Sequence, residues 1–309
     1  MPTAYITHPS FLLHEMGPYH PECPDRLTAI GDRADQRGAR RLSATLFGAR
    51  GHRASSSGRV HSRDYIAMIE AESPIDRLHF LDPDTAMNPH SLAAARHAAG
   101  ARRARDRAPC CPANAGTRSV RCVRRAIMRS ATGRWGSACS TTSPSALRMR
   151  WRTASSAWRS SISTSITATA PRSMFSDDPR VLMVSTFQHP LYPYCGLDNP
   201  APNMVNIPLS AGTGGAGFRK AVTEHWMPAI ERHRPEMLFV SAGFDAHRED
   251  PLAGLKLVDD DYAWVTREMI GAAARAREGP HRLDAGRRLR ALGAGPQRRA
   301  STCASSIAA

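Results

Sequence analysis

No apolar run in this sequence approaches the roughly 20 residues that span a bilayer, so no transmembrane helix is expected. Residues 1–17 lack the basic and apolar blocks of a secretory signal, and a cytoplasmic location follows by default. The seven cysteines, at 23, 110, 111, 122, 139, 195 and 303, include no C-x-x-C pair. That removes a zinc-ribbon or redox-motif reading, and a reducing compartment argues against disulfides. The neighbours Cys110 and Cys111 read as adjacent by chance rather than as chelators. Internal repeats are also missing.

Residues 101–173 contain no lysine and a single acid, Asp106, against fifteen arginines. Residues 279–309 add six arginines against Asp284. These two blocks carry more than the whole formal charge of +15, and the rest of the chain is slightly acidic. A nucleic-acid surface mixes Lys with Arg and interleaves aromatics or helical spacing. The blocks have neither, so contact with nucleic acid is disfavoured. A noncatalytic basic protein that binds nucleic acid or an acidic partner is the alternative reading.

The remainder has ordinary globular texture. The spacing predicts helices at Asp64–Ala71, Ser91–Ala104, Phe218–Arg234 and Asp259–Arg277, and strands at Val181–Thr186, Met204–Leu209 and Met237–Ser241. Strands alternating with helices predict an α/β fold with a mainly parallel sheet. An aperiodic stretch of the length of 101–173 is unusual inside a compact α/β domain.

Several stretches, in order, resemble the histone deacetylase and acetylpolyamine amidohydrolase superfamily, of the bacterial class II-like kind. They are HPECPDRL (20–27), VHSRDYIAMIEA (60–71), DPDTAMNPHSLAAARHAA (82–99), FSDDPRVLMVSTFQ (175–188), PLYPYCG (190–196), NMVNIPL (203–209), FVSAGFDAHREDPL (239–252) and DDYAWVTR (260–267). The resemblance covers about two thirds of the chain. It implies one three-layer α/β/α domain over 1–309, of the arginase and deacetylase type. It also implies zinc held by two Asp and one His at the carboxyl ends of the strands. A His pair would move protons and a Tyr would steady the oxyanion. The substrate class would be an acetylated small molecule or an acetyl-lysine protein, hydrolysed by zinc-activated water.

Residue by residue, Asp245 matches the last zinc Asp; a turn-capping Asp after a strand is the plain alternative. His20, Pro21 and Glu22 match the loop at the substrate rim, with Asp84 nearby. His61 and His247 read as packing or capping residues. The other motifs belong between 101 and 173, where the protein sequence lacks them. A shifted reading register recovers them. Ile162–Ala170 can be coded ATC TCG ACG TCC ATC ACG GCA ACG GCA. Read one base earlier, that becomes Asp-Leu-Asp-Val-His-His-Gly-Asn-Gly, the central zinc motif. The same register turns RRAIMRS (124–130) into Pro-Pro-Gly-His-His-Ala-Glu, and RWGSACSTT (134–142) into Ala-Met-Gly-Phe-Cys-Leu-Phe-Asn-Asn. In the other register, LDAGRRL (283–289) yields Ser-Thr-Leu-Glu-Gly-Gly before a Tyr codon that spans Leu289 and Arg290.

GC-rich coding read out of frame yields Arg, Ala, Ser and Pro, which accounts for the basic blocks. On this reading Thr164 and Ile166 stand at two zinc-ligand positions, Ile127 and Met128 at the His pair, and Leu289/Arg290 at the Tyr. Zinc binding is then expected to be weak or absent, and catalysis lost. In frame, residues 154–163 would supply a central apolar strand; Ser155–Ser163 is mostly small and polar, so that strand is expected to be lost. That would leave the edges of Val181–Thr186 and Met237–Ser241 exposed.

Overall fold

The computed structural model describes residues 3–6, 8–18, 20, 23–36, 43–46, 61–82, 85–97, 119–122, 158–163, 175–191, 194, 197, 201–235 and 238–278. The chain divides into two compact units, Met1–Thr153 and Ala154–Ala309.

In the first unit, β1 (Thr3–Ile6) lies between β2 (Ser43–Leu46) and β5 (Ser119–Cys122), parallel to both. Helix α1 spans Asp25–Gln36. Helix α2 (Arg63–Ala71) begins where the sequence predicts, because the Ser62 hydroxyl accepts from the Tyr65 backbone N–H at 3.1 Å. β3 (His79–Asp82) and β4 (Thr85–Met87) pair antiparallel. Helix α3 is described over 91–97, the first half of the helix expected at Ser91–Ala104. Asn88 anchors its start: Oδ1 accepts from the His90 N–H and the Ser91 hydroxyl, and Nδ2 donates to the Leu13 carbonyl at 2.7 Å.

His61 packs beside Tyr65, ring centroids 5.4 Å apart, so it is a packing residue as expected. Desolvation lowers its pKa from 6.5 to about 4. The folded form therefore binds fewer protons than the unfolded form below 6.5, and this contribution fades as pH falls from 6.5 toward 4. His61→Gln should flatten the stability of the first unit across that window. Urea midpoints measured at both ends would show it, and an unchanged slope would refute it.

The second unit holds the expected parallel sheet. Its order is β8-β7-β6-β9, with β6 Trp158–Ser163, β7 Val181–Gln188, β8 Met204–Leu209 and β9 Leu238–Ala242. All eight residues of β7 are buried, the signature of a parallel strand covered on both faces. Leu182 and Val184 join the helix-facing core. Pro208 lacks a donor and sits on β8, an edge of this sheet among the described residues.

β6 takes an interior place with the polar sequence WRSSIS, where interior parallel strands are ordinarily apolar. Because β6 is seated, Val181–Thr186 pairs on both sides, and its expected exposure as an edge is corrected. β9, among the described residues, pairs with β6 alone.

Helices α4 (Gly215–Ala221) and α5 (Met227–His233), joined through a π turn at Val222–Trp226, realise the helix expected over Phe218–Arg234. Helix α6 spans Asp259–Glu278. Phe218, Val222, Trp226 and Ile230 pack with Val265, Met269 and Ala272 of α6 against the sheet residues Leu182, Val184 and Leu209.

A half-buried ion pair ties α4 to α6. Asp261 is 2% exposed; its Oδ1 takes Arg219 Nε at 2.8 Å and Nη2 at 2.7 Å, and its Oδ2 accepts the Val258 N–H at 3.0 Å. The Arg219 guanidinium lies 5.4 Å over the Trp264 ring. Gly215 stands against this carboxylate, where an added Cβ would overlap Asp261. Gly215→Ala should therefore lower the stability of the second unit by about 1–3 kcal/mol. A denaturant midpoint at or above the parent value would contradict that.

Candidate functional site

The resemblance implies a site at the carboxyl ends of the strands, the end at which open parallel sheets bind ligands. Ser163 ends β6 and pairs in register with Ala242, which ends β9. Asp245 follows Ala242 by three residues, in a turn closed by the His247 N–H on the Phe244 carbonyl at 3.0 Å. Thr164 is the residue after Ser163 in sequence. Thr164, Ile166, Ile127, Met128, Leu289, Arg290, Pro21, Glu22 and Asp84 lie outside the described residues.

Asp245 is half-buried, and both of its neighbours are pinned. Ala246 is in the core and its carbonyl accepts from Leu257 at 3.0 Å, while Tyr262 donates its hydroxyl to the Phe244 carbonyl at 3.4 Å. Tyr262 itself is buried, with its ring 5.3 Å from Phe244 and 6.4 Å from His247. Burial, then the negative charge of Asp245 and of Asp250, Asp261 and Asp259, pushes the phenol well above its ordinary range. Tyr262 therefore stays a proton donor to this turn at any physiological pH. The sequence placed Tyr262 on a helix but did not signal its role; its spacing of seventeen residues from Asp245 carries no motif.

His247 caps rather than projects. Its Nδ1 accepts the Glu249 N–H at 3.2 Å and its Nε2 lies 3.4 Å from Asp259 Oδ1. Gln188, the last residue of β7, is a second contributor that sequence reasoning missed. Its Oε1 accepts the Gly254 N–H at 2.7 Å, and the Gly254 carbonyl accepts from Gly212 at 2.7 Å. Lys256 N–H adds a bond to the Thr213 carbonyl at 2.9 Å. The end of β7 and the segments after β8 and β9 are thereby tied together. Gly254 allows the close approach, since a Cβ there would lie 3.3 Å from both Gln188 Oε1 and Ala211 Cβ.

In the first unit, His20 closes a turn with its N–H on the Gly17 carbonyl at 3.3 Å, and Gly17 has φ +113°, a conformation that suits glycine. Among the described residues no group of three or more His, Cys, Asp or Glu is placed to hold a metal ion, and no helix is long and apolar enough to cross a membrane.

Residues 170–282 match the family model of the histone deacetylase domain. A probable deacetylase of Archaeoglobus fulgidus is 36% identical over 112 residues, which is 34% of this chain and 31% of that protein. Histone deacetylase 10, chloroplastic, of Oryza sativa subsp. japonica is 37% identical over 119 residues, 37% of this chain and 25% of that protein. A histone deacetylase-like amidohydrolase of Pseudomonas aeruginosa is 33% identical over 102 residues, 31% of this chain and 27% of that protein. The chain thus spans about a third or less of the length of these curated relatives. The crystal structure of the HDA15 HD domain superposes with a TM-score of 0.76 at 22% identity, covering 88% of this chain and 81% of that one. That likeness shows the fold: the α/β arginase and deacetylase type, with its parallel sheet.

Proposed function

We propose that this chain, whose matches support the histone deacetylase and acetylpolyamine amidohydrolase superfamily, derives from a deacetylase of acetyl-lysine proteins or acetylated polyamines. We further infer that its residues 101–173 and 279–309 are out of frame and that catalysis has gone with them. The supporting observation is where the family match stops. It runs from 170 to 282, within a few residues of both changes in composition. On this reading the chain is one deacetylase-like domain with a displaced middle and tail.

The superfamily is generally zinc-dependent, but the donor set here does not fit a catalytic zinc. Asp245 supplies one carboxylate, whereas Thr164 and Ile166 stand at the other two ligand positions. Isoleucine has no donor atom and threonine is a poor ligand. Ile127 and Met128 cannot transfer a proton, and Leu289/Arg290 offers no phenol. What survives is scaffold: the Asp245 turn, held by Tyr262 and Ala246, and the rim residue His20.

The test uses the purified chain. After dialysis against zinc it should retain well under one equivalent of metal. It should also release no acetate from acetyl-lysine peptides or acetylated polyamines, with or without chelator. Chelator-sensitive deacetylation by this chain would overturn the reading.

A further inference from the structure

Residues 8–14 lie along α3, and the contact has the same chemistry at both ends. In the middle, Phe11 packs on Ala94, with Leu27 of α1 against them. At one end His14 Nδ1 meets the Ser91 hydroxyl at 2.7 Å. At the other, Ser10 Oγ lies 2.8 Å from His8 Nδ1 and 3.0 Å from His97 Nδ1. The two rings stack, centroids 3.8 Å apart and 20° from parallel.

The backbone fixes the protons. The Ser10 N–H donates to His8 Nδ1 at 3.1 Å, so that nitrogen is an acceptor and the ring carries its proton on Nε2. The Ser10 hydroxyl, 2.8 Å from the same nitrogen, must then donate to it, since two lone pairs would otherwise face each other. Its oxygen is left to accept from His97 Nδ1–H. The chain runs one way: His97 to Ser10 to His8.

We propose that His8, Ser10 and His97 form a pH-dependent clip that holds residues 8–14 on α3 while both imidazoles are neutral and releases them on acidification. A proton on His8 Nδ1 would meet two donors, the Ser10 N–H and O–H. It would also set a cation against the neighbouring ring, and a second proton would add like-charge repulsion at stacking distance. Protonation therefore works against the contacts of the closed clip, and the clip loosens on acidification. Among the described residues, the charged and titratable groups carried by these elements near the clip in sequence are His14 and Glu15 on the turn, His90 and Arg96 at α3, and Asp25 and Arg26 on α1. Arg96 is engaged by Glu70 and His14 by Ser91. The clip goes beyond the deacetylase reading, because none of its three residues stands at a proposed metal or catalytic position.

Hydrogen–deuterium exchange of the full chain at about pH 7.5 and about pH 5.5, with labelling times scaled for the intrinsic pH dependence, tests it. Peptides covering 8–14 and 91–97 should exchange about tenfold faster at the lower pH, while those covering 181–188 and 204–209 hold. In His8→Asn/His97→Phe, Asn keeps the cap and Phe keeps a flat apolar ring on α3, and neither titrates, so residues 8–14 should stay protected at both pH values. Three results would overturn the clip: unchanged protection of 8–14 in the parent chain, equal loss in all peptides, or a pH response that persists in the double variant. A double variant that fails to fold shows loss in the control peptides, and the parent comparison then decides alone.

Discussion

Translating residues 101–173 and 279–309 in the shifted registers should turn this chain, which we propose to be inactive, into a deacetylase, with a gain on the order of 10⁶-fold or more over the present sequence. The size follows from how much returns at once. The register restores an Asp and a His beside Asp245 to complete a three-ligand set, and a His pair for proton transfer, itself worth about 10²–10⁴-fold. It also restores a Tyr for the oxyanion, where removing one donor typically lowers the rate about 10²–10³-fold. Such groups act as a unit, so partial restoration of any single one should recover almost nothing. The restored chain should hold one equivalent of zinc, and Asp245→Ala within it should lose both metal and activity. Full zinc loading without hydrolysis would separate the ligand assignment from the proton-transfer assignment and refute the latter.

Removing Arg219 should strongly destabilise the second unit, lowering its stability by about 3–5 kcal/mol. The asymmetry of the ion pair sets the direction. Arg219 is 40% exposed and could turn to water, whereas Asp261 is 2% exposed and could not. Arg219→Ala therefore strands a buried carboxylate that retains only the Val258 N–H, while Asp261→Ala leaves a guanidinium that solvent can reach. Neutralising the stranded charge should rescue: Arg219→Ala/Asp261→Asn should be more stable than Arg219→Ala alone. Urea denaturation of the two variants gives the comparison. A loss below about 1 kcal/mol in Arg219→Ala would mean that the pair behaves as an ordinary surface bridge.

Much of the second unit was legible because its pattern is local. VLMVST announces a strand buried on both faces, and the apolar spacing after Phe218 announces a helix. Both were found: the strand runs two residues further, and the helix starts three residues earlier and stops one sooner. The position of Asp245, just past the end of β9, was legible because a carboxylate after an apolar strand falls at a sheet's carboxyl end. Tyr262 and Gln188 were not, since each acts through a hydrogen bond to a backbone group distant in sequence, Phe244 and Gly254. The Arg219–Asp261 pair was hidden for the same reason, forty-two residues apart. β6 was illegible for a different cause: WRSSIS has no apolar alternation, so its interior place comes from pairing with β7 and β9 rather than from its own residues. The His8–Ser10–His97 contact joins positions eighty-seven residues apart, with no motif to mark it.

The nucleotide sequence that encodes residues 95–180 and 275–309 tests the central claim most directly. The account predicts that one alternative register of the first stretch spells Pro-Pro-Gly-His-His-Ala-Glu, then Ala-Met-Gly-Phe-Cys-Leu-Phe-Asn-Asn, then Asp-Leu-Asp-Val-His-His-Gly-Asn-Gly. The other register of the second stretch should spell Ser-Thr-Leu-Glu-Gly-Gly-Tyr. Coding DNA in which these words are missing from every register would contradict it.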